Sequence, residues 1–310
     1  MTSDSSAPFI LYHYGMSPYA QKIRAMLGYA GVDWQSVTTA GAPPRPELAA
    51  LAGGYRKIPV AQIGADVFCD SRTIAREIAA LADKPALSPD NVSESAQQWI
   101  DRAEGRLFFA CVIASVGLKF TVGALRTVSL SGLKAIMVDR REMAKTSTIQ
   151  APDKKEAKAM ALEHLAQVEA QLSGEYLLGA EPELADFAVY HPLWMLHIKG
   201  GKRFVRRFPK TVAWIERLTA LSAGNSQEIT ADRALAMAKQ SQPRAIDEAD
   251  KQHELMGKTV RVGPNDYAQD ATEGKLVGST AHSWIVAREH PQTDLVHVHF
   301  PKQGFDLAVC

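Results

Sequence analysis

Ile58-Pro59-Val60-Ala61-Gln62-Ile63-Gly64-Ala65-Asp66-Val67-Phe68-Cys69-Asp70-Ser71 is the stretch on which the fold turns. Two short β-prone runs separated by Gly64-Ala65 predict a hairpin. Asp70-Ser71 then opens a helix with Ile74, Ile78 and Leu81 along one face. Upstream, Phe9 to Tyr12 is a short apolar strand that ends in a turn at Gly15-Met16-Ser17-Pro18. Pro18 begins a second helical pattern carrying Ile23, Met26 and Leu27, which loosens at Gly28 and Gly31 before a strand over Val32 to Val37. The Pro- and Ala-rich segment from Ala42 to Ala52 resists assignment. The order is β-α-β, a variable segment, then β-β-α, over residues 8–83.

Two prolines and several polar residues mark a linker from Lys84 to Asn91. Helical periodicity dominates residues 91–225, with helices predicted over Ser93 to Lys119, Asp153 to Leu172, Leu184 to Ile198 and Phe204 to Leu221. This reads as an all-helical second domain. A polar, helical connector spans residues 226–256, with its helix between Gln227 and Leu255. Residues 257–310 then change texture. Val260 to Val262, Leu276-Val277, Trp284 to Ala287 and Leu295 to Phe300 are β-prone runs separated by Gly, Pro, Asn and Asp. Their spacing predicts a small all-β module of four or five strands. Because so few residues make a marginal core alone, the module is expected to pack on the body and cover part of a cleft or a dimer surface.

The 310 residues carry 35 basic and 34 acidic side chains, a formal net charge of +1. That balance gives no electrostatic reason to expect nucleic acid or an anionic membrane as a partner. With 46% hydrophobic residues the chain has ample material for a core, yet no apolar run approaches the ~20 residues of a membrane span. The three cysteines, Cys69, Cys111 and Cys310, are too scattered for a disulfide framework and fit a reducing compartment. The opening MTSDSSAP lacks a basic start and an apolar region, so it reads as a short disordered lead and the cytoplasm is expected.

Ser17-Pro18-Tyr19-Ala20-Gln21-Lys22-Ile23-Arg24 opens the first helix. Arg56-Lys57-Ile58-Pro59-Val60 follows, with Asp70-Ser71 beginning eleven residues after the proline. Leu184-Ala185-Asp186-Phe187-Ala188 starts a later helix. Together, over about residues 8 to 222, these motifs resemble the glutathione S-transferase family of the serine type. The resemblance implies a thioredoxin-like α/β domain, an all-α domain, glutathione as co-substrate, an electrophilic small molecule as second substrate, and a homodimer. It says nothing about the β module.

A free thiol has a pKa near ~8.5, so little of it is thiolate at neutral pH. A hydroxyl at a helix N-terminus, where backbone N–H groups and the helix dipole converge, favours the ionised form. Ser17 stands at such a terminus and is the expected catalytic residue; its plain alternative is an N-cap with Pro18 in the first turn. Tyr14 and Tyr12 are the alternative hydroxyls, since some family members use tyrosine. The resemblance further implies a cis Pro59, with the backbone of Ile58 pairing with the cysteinyl part of glutathione. It also places Lys57 at the glycyl end and Ser71 with its backbone N–H at the γ-glutamyl carboxylate, with the Asp70 carboxylate shaping the polar end of the pocket. An N-cap pair at Asp70-Ser71 and a solvated Lys57 are the plain alternatives.

Other features carry less. Asp186 reads as structural, although Glu183 stands where the family usually has a capping Ser or Thr. Phe108, Phe109, Val112 and Val116 would lie where the second substrate's groove opens, or else pack in the core. Cys69 and Cys111 read as core. His297 and His299 share a strand face, with His282 and His290 nearby, and read as exposed side chains with no metal expected. Gly257 to Pro264 lacks the pattern of a phosphate loop. Conjugation of glutathione is the leading function. A glutathione-recycling lyase, dehalogenase or isomerase is the second, and a non-catalytic scaffold whose β module binds a partner is the third.

Overall fold

A computed structural model describes residues 7–116, 130–199 and 202–310. The first half comprises β1 (Phe9–His13), α1 (Pro18–Ala30), β2 (Trp34–Thr38), α2 (Pro46–Ala52), β3 (Val60–Ile63), β4 (Asp66–Cys69) and α3 (Ser71–Leu81). β1 pairs in parallel with β2 and antiparallel with β3, and β3 pairs antiparallel with β4 through the predicted hairpin. Phe9 to Tyr12 of β1 are apolar and buried because both faces of the sheet are covered. Successive side chains point to opposite faces. Phe9 and Leu11 therefore join a core with α1, α3 and the helical domain, while Ile10 and Tyr12 join a second core with Leu48 and Leu51 of α2.

Ser17 caps α1, its Oγ accepting the Ala20 N–H at 3.2 Å, and Gly31 ends the helix at a φ of 69°. Gly28 has a different role from loosening the helix. A Cβ there would lie 1.7 Å from the Leu221 carbonyl oxygen, so glycine lets α1 approach the end of α10.

The helical domain comprises α4 (Glu94–Glu104), α5 (Arg106–Ser115), α6 (Leu130–Lys145), α7 (Lys154–Gln171), α8 (Leu184–Lys199), the short α9 (Lys202–Val205) and α10 (Pro209–Leu221). The helix predicted from Ser93 to Lys119 is two helices over its described part, because Gly105 leaves helical geometry with a ψ of −140°. Its end, residues 117–119, lies outside the described residues, as do the first six residues of the lead. The helix predicted from Phe204 is also broken. Phe208 precedes Pro209 and adopts a non-helical ψ of 72°, since a proline disfavours helical geometry in the residue before it. Asp186 is structural: its carboxylate accepts the Leu177 and Glu183 N–H groups at 2.9 and 3.2 Å and the Trp214 Nε1–H at 2.9 Å. Burial nevertheless raises its pKa to about 6, against the lowering effect of those bonds.

The connector contains β5 (Ser226–Glu228), a short α-helix, α11 (Ala231–Lys239), and a 3-10 turn at Glu248–Lys251, rather than continuous helix. β6 (Thr259–Pro264), β7 (Thr272–Ser279), β8 (Ser283–His290), β9 (Asp294–Pro301) and β10 (Phe305–Val309) follow. They do not stand apart. One ten-stranded sheet runs in the order β10-β6-β7-β8-β9-β4-β3-β1-β2-β5. β9 lies parallel to β4, with Asp66 opposite His297 and Phe68 opposite His299, and β5 lies parallel to β2. Each addition satisfies backbone groups that an edge strand would otherwise expose.

The C-terminal strands contribute Val260, Val262, Leu276, Val286, Val296, Val298 and Phe300 to the core that already holds Tyr12, Leu48 and Val67. They also cap α2. Thr272 Oγ1 donates to the Ala52 carbonyl at 2.5 Å and Arg288 to that of Leu51 at 3.2 Å, groups with no partner inside the helix. His297 and His299 are half-buried rather than exposed: His299 Nε2 lies 2.7 Å from Asp66 Oδ1, its ring stacked on Phe68 at 4.6 Å. No helix among the described residues is long and apolar enough to cross a membrane.

Candidate functional site

Lys57, Ile58 and Pro59 lie on the approach to β3, and the Ile58–Pro59 bond is cis. Asp70 and Ser71 sit where β4 becomes α3. The fold brings these five residues to one cleft, lined also by Tyr19, Tyr55, Arg72, Glu104, Asp266 and Tyr267. Non-atom space in the cleft, including its open mouth, is about 450 Å³. Asp70 holds a φ of 78°, a region that costs an L residue roughly 1–3 kcal/mol. Its Oδ1 accepts the Arg72 N–H at 2.9 Å, capping α3.

The polar wall is a charge network. Arg72 lies 3.6 Å from Asp70 and 4.0 Å from Glu104, and Glu104 receives the Lys22 ammonium at 2.6 Å. Lys22 is only 2% exposed. Burial alone would raise the Glu104 carboxyl; Lys22 and Arg72 reverse this and hold it at about 2. At the other end, Lys57 Nζ donates to Asp266 Oδ1 at 2.6 Å and sits 4.0 Å from the centre of the Tyr267 ring. Burial pushes Lys57 down, against the pull of Asp266. Burial also raises the phenols of Tyr19, Tyr55 and Tyr267, which stay protonated donors at neutral pH.

The remaining predicted residues fall outside the lining. Ser17 is 3% exposed and its Oγ serves the α1 cap, although it stands two residues from Tyr19. Tyr14 is half-buried and its hydroxyl accepts a hydrogen bond from Arg140 Nη2 at 3.0 Å. Tyr12 is buried on the opposite face, its hydroxyl donating to Gln62 Oε1 at 2.6 Å. Phe108 and Phe109 reach the cleft through aromatic contacts, Phe108 with Tyr19 at 4.9 Å and Phe109 with Tyr267 at 5.4 Å. Val116 is exposed. Among the described residues no group of three or more His, Cys, Asp or Glu side chains is placed to hold a metal.

Tyr19 lies within the quoted motifs, Tyr55 and Arg72 adjoin them, and all three could have been drawn from them. Glu104 carries no local signal. Asp266 and Tyr267 come from the β6–β7 loop of the C-terminal strands, more than 190 residues beyond the α3 cap. Nothing in their own neighbourhood connects them to this cleft.

Residues 11–86 match the family model of the glutathione S-transferase N-terminal domain, and residues 132–222 match that of its C-terminal domain. No curated protein matches the chain. Among solved structures, a GST-like protein from Pseudomonas syringae is similar at 28% identity with a TM-score of 0.78, covering 98% of this chain and 100% of that one. That coverage takes in the C-terminal strands. Glutathione transferase F7 from Populus trichocarpa aligns at 20% identity with a TM-score of 0.48, covering 70% of this chain and 99% of that one.

Proposed function

Because the chain belongs to the glutathione S-transferase family, we propose that it binds glutathione in this cleft and transfers its thiolate to an electrophilic small molecule. One observation carries the reading: Lys57, Ile58, cis Pro59, Asp70 and Ser71, from two separate motifs, line a single cleft. The backbone of Ile58 would pair with the cysteinyl unit. Ser71 and the adjoining N-terminus of α3 would take the γ-glutamyl carboxylate, beside Arg72. Lys57 would face the glycyl end. Ser17, at the N-terminus of α1, would stabilise the thiolate. Phe108 and Phe109 would border the second substrate. A homodimer acting in cytoplasmic detoxification completes the proposal.

Calorimetry with reduced glutathione tests the site, and saturable binding in the micromolar-to-millimolar range is expected. Ser17→Ala should keep that binding while turnover on a model electrophile falls by about tenfold or more, the loss of one hydrogen bond to a charged group. Unchanged turnover would move the thiolate role to Tyr14. A second reading is favoured by the engagement of Ser17 Oγ as a helix cap outside the cleft lining: glutathione is bound without being conjugated. A protein that binds glutathione but never consumes it, with any electrophile, would support that reading.

A further inference from the structure

The charges around the cleft do not suit a fully anionic ligand. Its cations are Lys57 and Arg72, and its carboxylates are Asp70, Glu104 and Asp266. Arg72 already faces Asp70 and Glu104, and Lys57 already holds Asp266 at 2.6 Å. A ligand carboxylate brought to Lys57 would arrive within a few ångströms of the Asp266 carboxylate. Like charges that close disfavour binding even with the Asp266 side chain 38% exposed.

The loop that carries Asp266 is tied down, so it acts as a wall. The Asp266 carbonyl accepts the Thr148 N–H at 2.7 Å, and Asn265 N–H donates to the Gly304 carbonyl at 3.0 Å. Arg56 bridges Asp270 at 3.2 Å and Asp139 on α6. Asp266 Oδ1 also accepts the Tyr267 N–H at 2.7 Å, which fixes the carboxylate toward Lys57. Beside this pair, the Tyr267 ring meets Phe109 edge-on and offers an apolar surface.

We propose that Asp266 is a specificity-determining residue: it makes the Lys57 end of the cleft disfavour a free carboxylate and prefer a thiol peptide whose C-terminal carboxyl is masked as an ester or amide. This rests on the glutathione reading of the cleft. The neutral Tyr267 ring receives the masking group, and the Lys57–Asp266 pair stays intact.

The test is calorimetry on the full chain with reduced glutathione and with its glycyl monoethyl ester. The wild type should bind the ester about tenfold tighter. Asp266→Asn keeps the shape and removes the charge; it should tighten glutathione about tenfold and leave the ester within about twofold. Asp266→Glu, which keeps the charge, should retain the ester preference, and thermal unfolding checks that both variants fold. A wild type that prefers glutathione, or an Asp266→Asn variant that tightens both ligands alike, overturns the charge selection while leaving the glutathione site standing. Absence of binding by either ligand to the wild type and both variants overturns the glutathione reading, and this proposal with it.

Discussion

The most consequential single contact is the Lys22–Glu104 pair. Lys22 is buried and Glu104 nearly so, the ammonium and carboxylate lie 2.6 Å apart, and Arg72 supports the carboxylate from the cleft side. Removing one partner of such a pair leaves an uncompensated charge, which costs more than the intact pair contributes. Glu104→Gln is therefore expected to lower unfolding free energy by about 3–5 kcal/mol in urea titration. Lys22→Met combined with Glu104→Leu should recover most of that loss. If Glu104→Gln unfolds at the wild-type midpoint, the pair is not the anchor that its geometry implies. At this scale the sequence was informative wherever chemistry is local. Ser17 ahead of Pro18 announced a cap, and Asp70-Ser71 announced another. The partner of Lys22 was not legible, because 82 residues separate it from Glu104.

At the scale of elements, α7 and α8 each bury a histidine. His164 and His191 are both fully buried; among the described residues neither ring nitrogen of His164 has a hydrogen-bond partner, and Nε2 of His191 has none. Burial lowers each to about 3, with the Arg102 charge adding to the effect at His164 and Glu104 opposing it at His191. Their folded pKa values lie below the unfolded one near ~6.5, so the unfolded chain binds more protons in between. Stability from these residues is complete above about pH 6.5 and is lost as pH falls toward 3. Asp186, raised to about 6, works in the opposite direction over part of that range, since its folded form holds a proton longer. Two histidines outweigh one carboxyl, and the urea midpoint should fall from pH 7 to pH 5. In His164→Leu that fall should be visibly shallower; an identical pH slope would remove His164 as its source. Periodicity placed α7, α8 and α10 but not α6 (Leu130–Lys145), and at Gly105 and Phe208 one residue's backbone overrides an apolar pattern.

Over the whole molecule, the C-terminal strands complete the first half of the chain. They share its sheet through β4 and β9, share its second core, and cap the carbonyls of α2. A chain ending at Gln240 would expose the β4 edge and the apolar faces of Val67, Leu48 and Leu51. We expect it to melt at least about ten degrees below the full chain, or to aggregate, in thermal unfolding followed by light scattering. A truncated chain with the same melting temperature and glutathione affinity would make residues 257–310 a dispensable appendage.

The sequence by itself determined the β-α-β and β-β-α runs on either side of α2, the helical second half, the strand-rich end and five of the residues that line the cleft. Those rest on periods of two and 3.6, on turn and cap residues, and on two short motifs, all of which act over a few neighbouring positions. Only the tertiary structure decided that the last strands join the first sheet, and that Asp266 and Tyr267 wall its cleft. The physical reason is that strand edges and buried charges choose partners by position in space. β4 offered an open edge and Lys57 an unsatisfied ammonium, and neither demand is written in the residues that meet it.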